Sequence, residues 1–96
     1  MMYVQASIKL RAGKLPDFVK LLSEISPFIG KHGWKLVGSY ASVVGRLNTV
    51  VDWWEIPNAD AVPTALADPE FAKWGPRIAE IVEDETLTIL TKLPIG

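Results

Sequence analysis

The run Leu47-Asn48-Thr49-Val50-Val51-Asp52-Trp53-Trp54-Glu55-Ile56 reads as an extended strand with two unlike sides. Successive side chains of a strand point to opposite faces, so Asp52 and Trp54 share one side while Trp53 and Glu55 share the other. Each side carries one indole. A strand built this way is covered on both faces, one by helices and the other by something else.

The neighbouring segments supply the helices. Upstream, Trp34 to Val44 reads as a second strand, with Gly38 as a bulge or close-packing point and Gly45-Arg46 as the turn of an antiparallel hairpin. At the start of the chain, Met2, Val4, Ala6, Ile8 and Leu10 alternate with Tyr3, Gln5, Ser7 and Lys9, the pattern of a half-buried strand. A helix follows from about Lys14 to Ile29. Leu15, Phe18, Leu22, Ile25 and Ile29 form its apolar stripe, and Gly30 and Gly33 close it. Downstream, Pro57-Asn58 breaks the third strand, and Asp60 to Ala67 reads as a short helix. Asp68-Pro69-Glu70 opens a second main helix, with a capping Asp, Pro at the first helical position and an acid near the positive dipole end. Phe71, Trp74, Ile78, Ile81 and Val82 give that helix its apolar face, with an irregularity expected at Gly75-Pro76. Thr86 to Lys92 is the fourth strand. The order is βαββαβ. Right-handed crossovers turn it into an α+β, ferredoxin-like unit with a four-stranded antiparallel sheet and its helices on one face.

Residues 1–96 are read as a single domain, since 96 residues suffice for one core and not for two. Ten Lys plus Arg against eleven Asp plus Glu leave a net charge of −1, which argues against nucleic acid and anionic membranes as partners. RNA-recognition modules share this strand order but set their stacking aromatics amid basic residues; here Asp52 and Glu55 flank Trp53 and Trp54. The chain has no cysteine, one histidine and no metal-binding or nucleotide-binding motif, so no metal and no cofactor are expected. Glu80, Glu83, Asp84 and Glu85 read as a solvated helix end. With no apolar run long enough for a membrane span and no basic-then-apolar leader pattern, the expected location is the cytoplasm.

Two surfaces carry functional expectations. The sheet face away from the helices presents Tyr3, Val51, Trp53 and Leu90, too much apolar surface to leave in water, and a homodimer interface is expected there. Between sheet and helices, Trp54, Phe71 and Trp74 are large groups that leave gaps, and Ala6 removes more volume. A small apolar or aromatic ligand is expected in that space. Asp52, desolvated beside an indole, is the candidate base, and His32 is the other candidate acid–base group. Tyr40 and Arg77 are further candidate ligand contacts.

The run Leu10-Arg-Ala-Gly13-Lys-Leu-Pro-Asp-Phe18 resembles the strand-to-helix entry of NIPSNAP domains. Val37-Gly38, Gly45-Arg-Leu47-Asn48, Val50-Val51 and Trp54 resemble that family's central hairpin, and Asp68-Pro69-Glu70-Phe71 the start of its last helix. The resemblance covers nearly the whole chain and implies a subunit of the dimeric α/β-barrel superfamily. That superfamily includes cofactor-independent monooxygenases, haem-degrading enzymes and isomerases as well as members with no known reaction; if the chain is an enzyme, its residue inventory favours an oxygenase or isomerase needing neither metal nor nucleotide. The alternative is a non-catalytic dimeric binding or scaffold module. Trp54 matches a Trp that lines the substrate cavity in monooxygenase relatives, and Asn48 matches the Asn of the hairpin turn. The family often has histidine where this chain has Asp52, so no histidine-based role carries over to that position.

Overall fold

The computed structural model describes residues 2–95. The elements are β1 (Met2–Leu10), α1 (Leu15–Gly30), β2 (Lys35–Ala41), β3 (Thr49–Ile56), α2 (Ala61–Ala67), α3 (Pro69–Ile81) and β4 (Val82–Thr91). The strands form one antiparallel sheet in the order β2-β3-β1-β4, the expected ferredoxin-like arrangement. β1 pairs with β3 from Met2 opposite Ile56 to Lys9 opposite Thr49, and on its other side with β4.

Local chemistry sets the boundaries. Pro16 and Pro69 occupy the first turns of α1 and α3, where a missing N–H costs nothing. The Asp68 carboxylate caps α3 by accepting from the Glu70 amide at 2.9 Å. At the other end of α3, Arg11 in the β1–α1 turn donates through its backbone N–H to the Ile81 carbonyl and through Nε to the Ala79 carbonyl. A cation thus satisfies carbonyls at the negative end of the dipole. The helix runs unbroken through Gly75-Pro76, so the expected irregularity does not interrupt it.

Two boundaries depart from expectation. β2 ends at Ala41, and residues 42–48 form a loop that leaves Val43, Val44 and Leu47 in solvent. The loop closes with Gly45 and Asn48 at positive φ, and the Asn48 carbonyl accepts from the Leu10 amide at 2.7 Å. β4 begins directly after α3, so Glu83, Asp84 and Glu85 are strand residues and not a helix end.

The core is split. Val4, Trp34, Trp54, Ile56, Ala61, Val62 and Ala65 make one cluster, and Ala6, Ile8, Leu10, Phe18, Leu21, Val50 and Ile81 make the other. The cause lies in one register pair. Ala6 of β1 stands opposite Asp52 of β3, so the centre of the sheet offers a methyl group and a carboxyl where a continuous core needs bulk.

Candidate active site

At that seam a partly open cavity of about 110 Å³ lies between the sheet and the helices. Ala6 and Asp52 form part of its floor, Trp34 and Trp54 close one end, and α1 and Phe71 cover it. The two indoles meet edge to face, centroids 5.7 Å apart, and the Trp34 Nε1–H is spent on the Ala61 carbonyl at 3.0 Å. The end wall is therefore apolar and fixed in place. Phe71 is held by a stacked contact with Phe28 of α1.

Asp52 is the one buried ionisable residue in the core, 3% exposed. The Ser39 hydroxyl donates to its Oδ1 at 2.5 Å, and no other described residue bonds its carboxyl. Burial pushes the carboxyl above its ordinary value, and the Ser39 hydrogen bond pulls it partly back. The group is a desolvated acid with one oxygen left for a ligand, the environment in which a carboxylate becomes a useful base near neutral pH.

A second carboxyl reaches the same cavity. Glu85 lies opposite Ile8 on β4, on the helix side of the sheet, and lines the wall beside Leu87. Burial of its carboxyl raises its proton affinity, and the charge on Asp52 raises it further. The Glu85 side chain as a whole still reaches solvent from the edge strand.

Of the expected ligand contacts, Trp54 and Phe71 line this cavity. The others stand elsewhere. Tyr40 pairs with Val51 on the open sheet face, with its ring over Gly38, so it does not meet Asp52. Trp74 packs beside the second core cluster without lining the cavity, and the Arg77 guanidinium lies 5.8 Å from its ring centre. Arg77 also pairs with Glu24 on the outer side of the helices, away from any cavity ligand. His32 follows the end of α1 and is bonded through Nε2 to Asp68 Oδ2 at 2.9 Å, which ties the end of α1 to the start of α3. His32 therefore stands apart from Asp52 as a fastener between helices. Ser39 and Glu85 are the polar neighbours that sequence reasoning missed. Among the described residues, no three His, Cys, Asp or Glu side chains converge in a way that could hold a metal ion. No helix among them is long and apolar enough to cross a membrane.

On the opposite side of the sheet, Tyr3 and Trp53 stack with centroids 6.1 Å apart and planes at 15°. With Val51 and Leu90 they remain partly open, an apolar patch in the middle of a polar face.

The NIPSNAP family model matches residues 3–95. A NIPSNAP domain protein from Burkholderia xenovorans is similar in structure at 26% identity and a TM-score of 0.81, covering 100% of this chain and 98% of that one. A NIPSNAP family protein from Agrobacterium tumefaciens strain C58 is similar at 22% identity and a TM-score of 0.77, covering 100% of this chain and 97% of that one. A candidate antibiotic biosynthesis monooxygenase from Deinococcus radiodurans has a TM-score of 0.76 at 16% identity, covering 100% and 96% of the two chains. No curated protein matches the sequence.

Proposed function

Because this chain belongs to the NIPSNAP family, we propose that it is a homodimeric protein binding one small apolar or aromatic molecule, on which Asp52 acts as proton acceptor. The observation that carries this reading is a desolvated carboxyl, 3% exposed, on the floor of an otherwise apolar cavity walled by two indoles. Size limits the occupant. An apolar cavity of about 150 Å³ holds benzene in another protein, so about 110 Å³ in a partly open cavity admits at most a single ring whose substituent extends through the opening. Proton removal from a phenolic O–H, or from a ring carbon beside a carbonyl, is an opening step shared by cofactor-free oxygenation and isomerisation, and neither step asks the protein for a metal or nucleotide. The likeness to the candidate monooxygenase from Deinococcus radiodurans supports the fold and leaves the choice of reaction to the site.

Phenol and toluene test the reading. In an NMR titration both should shift the Trp54 indole N–H saturably. Asp52→Asn should weaken phenol by about tenfold and leave toluene unchanged, since a charge-assisted hydrogen bond is worth about 1.5–3 kcal/mol. Ala6→Leu should abolish binding of both by filling the floor. No saturable shift with either probe would remove the reading.

The second reading, a non-catalytic dimeric module, is favoured by the Tyr3–Trp53 stack on the open face. Two such faces packing about a two-fold axis would bury that patch. Trp53→Lys then shifts sedimentation toward the 10.6 kDa monomer, because the ammonium is desolvated without a partner. A wild-type protein that sediments as a monomer at micromolar concentration would exclude the dimer in either reading.

A further inference from the structure

The inference concerns Glu85 and rests on the ligand-binding reading above. Ala6 is flanked by Asp52 of β3 on one side and Leu87 of β4 on the other, and the next inward position on β4 is Glu85, opposite Ile8. The two carboxyls rise from strands separated by β1 and are offset by two residues along it, so they are about 12 Å apart at the backbone. Only the methyl group of Ala6 and the side chain of Ile8 lie between them on the floor. Among the described residues that line the cavity, Asp52 and Glu85 are the only ionisable ones, so each is the other's nearest charge within that space.

Their surroundings differ in kind. Asp52 receives the Ser39 hydrogen bond, which favours its ionised form, and it is cut off from bulk water. Glu85 receives no hydrogen bond from a described residue, faces the charge of Asp52, and keeps solvent access from an edge strand. Asp52 is placed to exchange a proton with an occupant of the cavity, and Glu85, with solvent at its back, to exchange one with both the occupant and water.

We infer that Glu85 is the acid partner of Asp52, the two acting from opposite sides on one small cyclic β,γ-unsaturated ketone that lies over Ala6. The class of reaction is proton-transfer isomerisation. Asp52 removes a proton from the carbon beside the carbonyl; the C–H electron pair becomes a C=C bond, and the carbonyl π pair takes the Glu85 proton to form O–H. Asp52 is then protonated and Glu85 ionised. Asp52 returns its proton to a different ring carbon while the hydroxyl proton goes back to Glu85, so the double bond has moved and both carboxyls are restored. No oxidant or reductant enters. A six-membered ring with a hydrogen bond at each end matches the span between the two strands.

Cyclohex-3-enone, with seven heavy atoms, is the probe, and its conversion to the conjugated cyclohex-2-enone is followed by absorbance. Cyclohexanone, which binds without isomerising, reports occupancy by NMR. The wild-type protein should catalyse the shift and Asp52→Asn should not. Glu85→Gln, whose amide still donates, should slow it about tenfold, and Glu85→Leu by about a hundredfold, within the range expected for one acid–base group. Glu85→Gln should keep cyclohexanone affinity within about twofold, and Glu85→Leu, which loses the donor to the carbonyl, should weaken it by up to about tenfold. Isomerisation by Glu85→Leu at the wild-type rate overturns the role of Glu85. Cyclohexanone binding with no wild-type isomerisation also overturns it while leaving the binding reading intact. Failure to bind cyclohexanone at all overturns both.

Discussion

Replacing Asp52 with Asn separates a desolvated acid from an ordinary surface one through the pH dependence of stability. The folded protein holds the Asp52 carboxyl above its ordinary value of 3.8 because burial penalises the charge. Between the ordinary and the raised value, the folded chain carries more protons than the unfolded chain. Stability is therefore lost as pH rises through that window and stays at the lower level above it. Asn does not ionise and loses nothing. Each factor of ten by which folding displaces this proton equilibrium is worth about 1.4 kcal/mol, and about 1 kcal/mol moves the melting temperature of a domain this size by about 4–8 °C. The melting temperature of Asp52→Asn minus that of the wild type should thus be higher at pH 7 than at pH 3 by about 6–11 °C for every such factor. The absolute difference at either pH is a poorer guide. The Asn amide keeps an acceptor for Ser39 but turns an N–H₂ toward the cavity, and an unpaired donor costs about 1–3 kcal/mol at both pH values. That constant cancels in the comparison. Glu85 adds to the effect with the same sign, since loss of the Asp52 charge relieves it, and Glu85→Gln in the same chain measures its share. Melting curves by circular dichroism at pH 3, 5 and 7 suffice. An unchanged difference across that range would mean that Asp52 is hydrated in solution, and the case for a base in the cavity would go with it.

Two other predictions concern how the site is held. The Asp68 carboxyl lies below its ordinary value, chiefly because it accepts from the Glu70 amide and then from His32, so its contribution is complete above 3.8 and is lost as pH falls through the lower folded value. Asp68→Ala should therefore lower the melting temperature more at pH 7 than at pH 2. Asn48 sits at φ 55, which a β-branched side chain tolerates poorly, so Asn48→Val should lose about 1–2 kcal/mol in urea unfolding while Asn48→Gly loses little.

Alternation alone was enough to place β1 and β3, because both are paired on each side and any slip would turn their apolar rows into solvent. Asp52 and Trp54 were legible for the same reason, and Phe71 from the helical spacing of the apolar face of α3. Tyr40 was not, and the reason is one residue long. Leu36 stands opposite Trp54, but the next pair is Gly38 with Trp53, so the extra residue at the bulge reverses the phase of β2. Without it Gly38 would stand opposite Asp52 and Tyr40 opposite Val50, on the inward side; with it Ser39 stands opposite Asp52 and Tyr40 turns outward. Gly38 marks where such a bulge can form, and its lack of a side chain also leaves room for the Tyr40 ring. Val43, Val44 and Leu47 lengthened the expected hairpin because apolar residues resemble strand whether or not a partner exists. Glu85 was hidden by an acidic run that suits a hydrated helix end. Carrying the inward phase of Leu87 and Ile89 back two residues would have found it.

The central place of β1 bears on how the molecule comes to be folded. Its partners are β3 and β4, and Met2 finds Thr91 across the sheet, so the first strand to be made waits for the last. While the chain emerges from the ribosome, β1 offers a row of unpaired amides and Val4, Ala6, Ile8 and Leu10 with only part of their cover. The hairpin of β2 and β3 can close early, but the cavity floor is completed only when β4 joins the other edge of β1. Closing so long a span before its contacts repay the lost entropy makes for slow folding. Nothing resembling the cavity exists before β4 is in place, so a nascent chain, or one cut before β4, would lack it and leave the apolar row of β1 exposed.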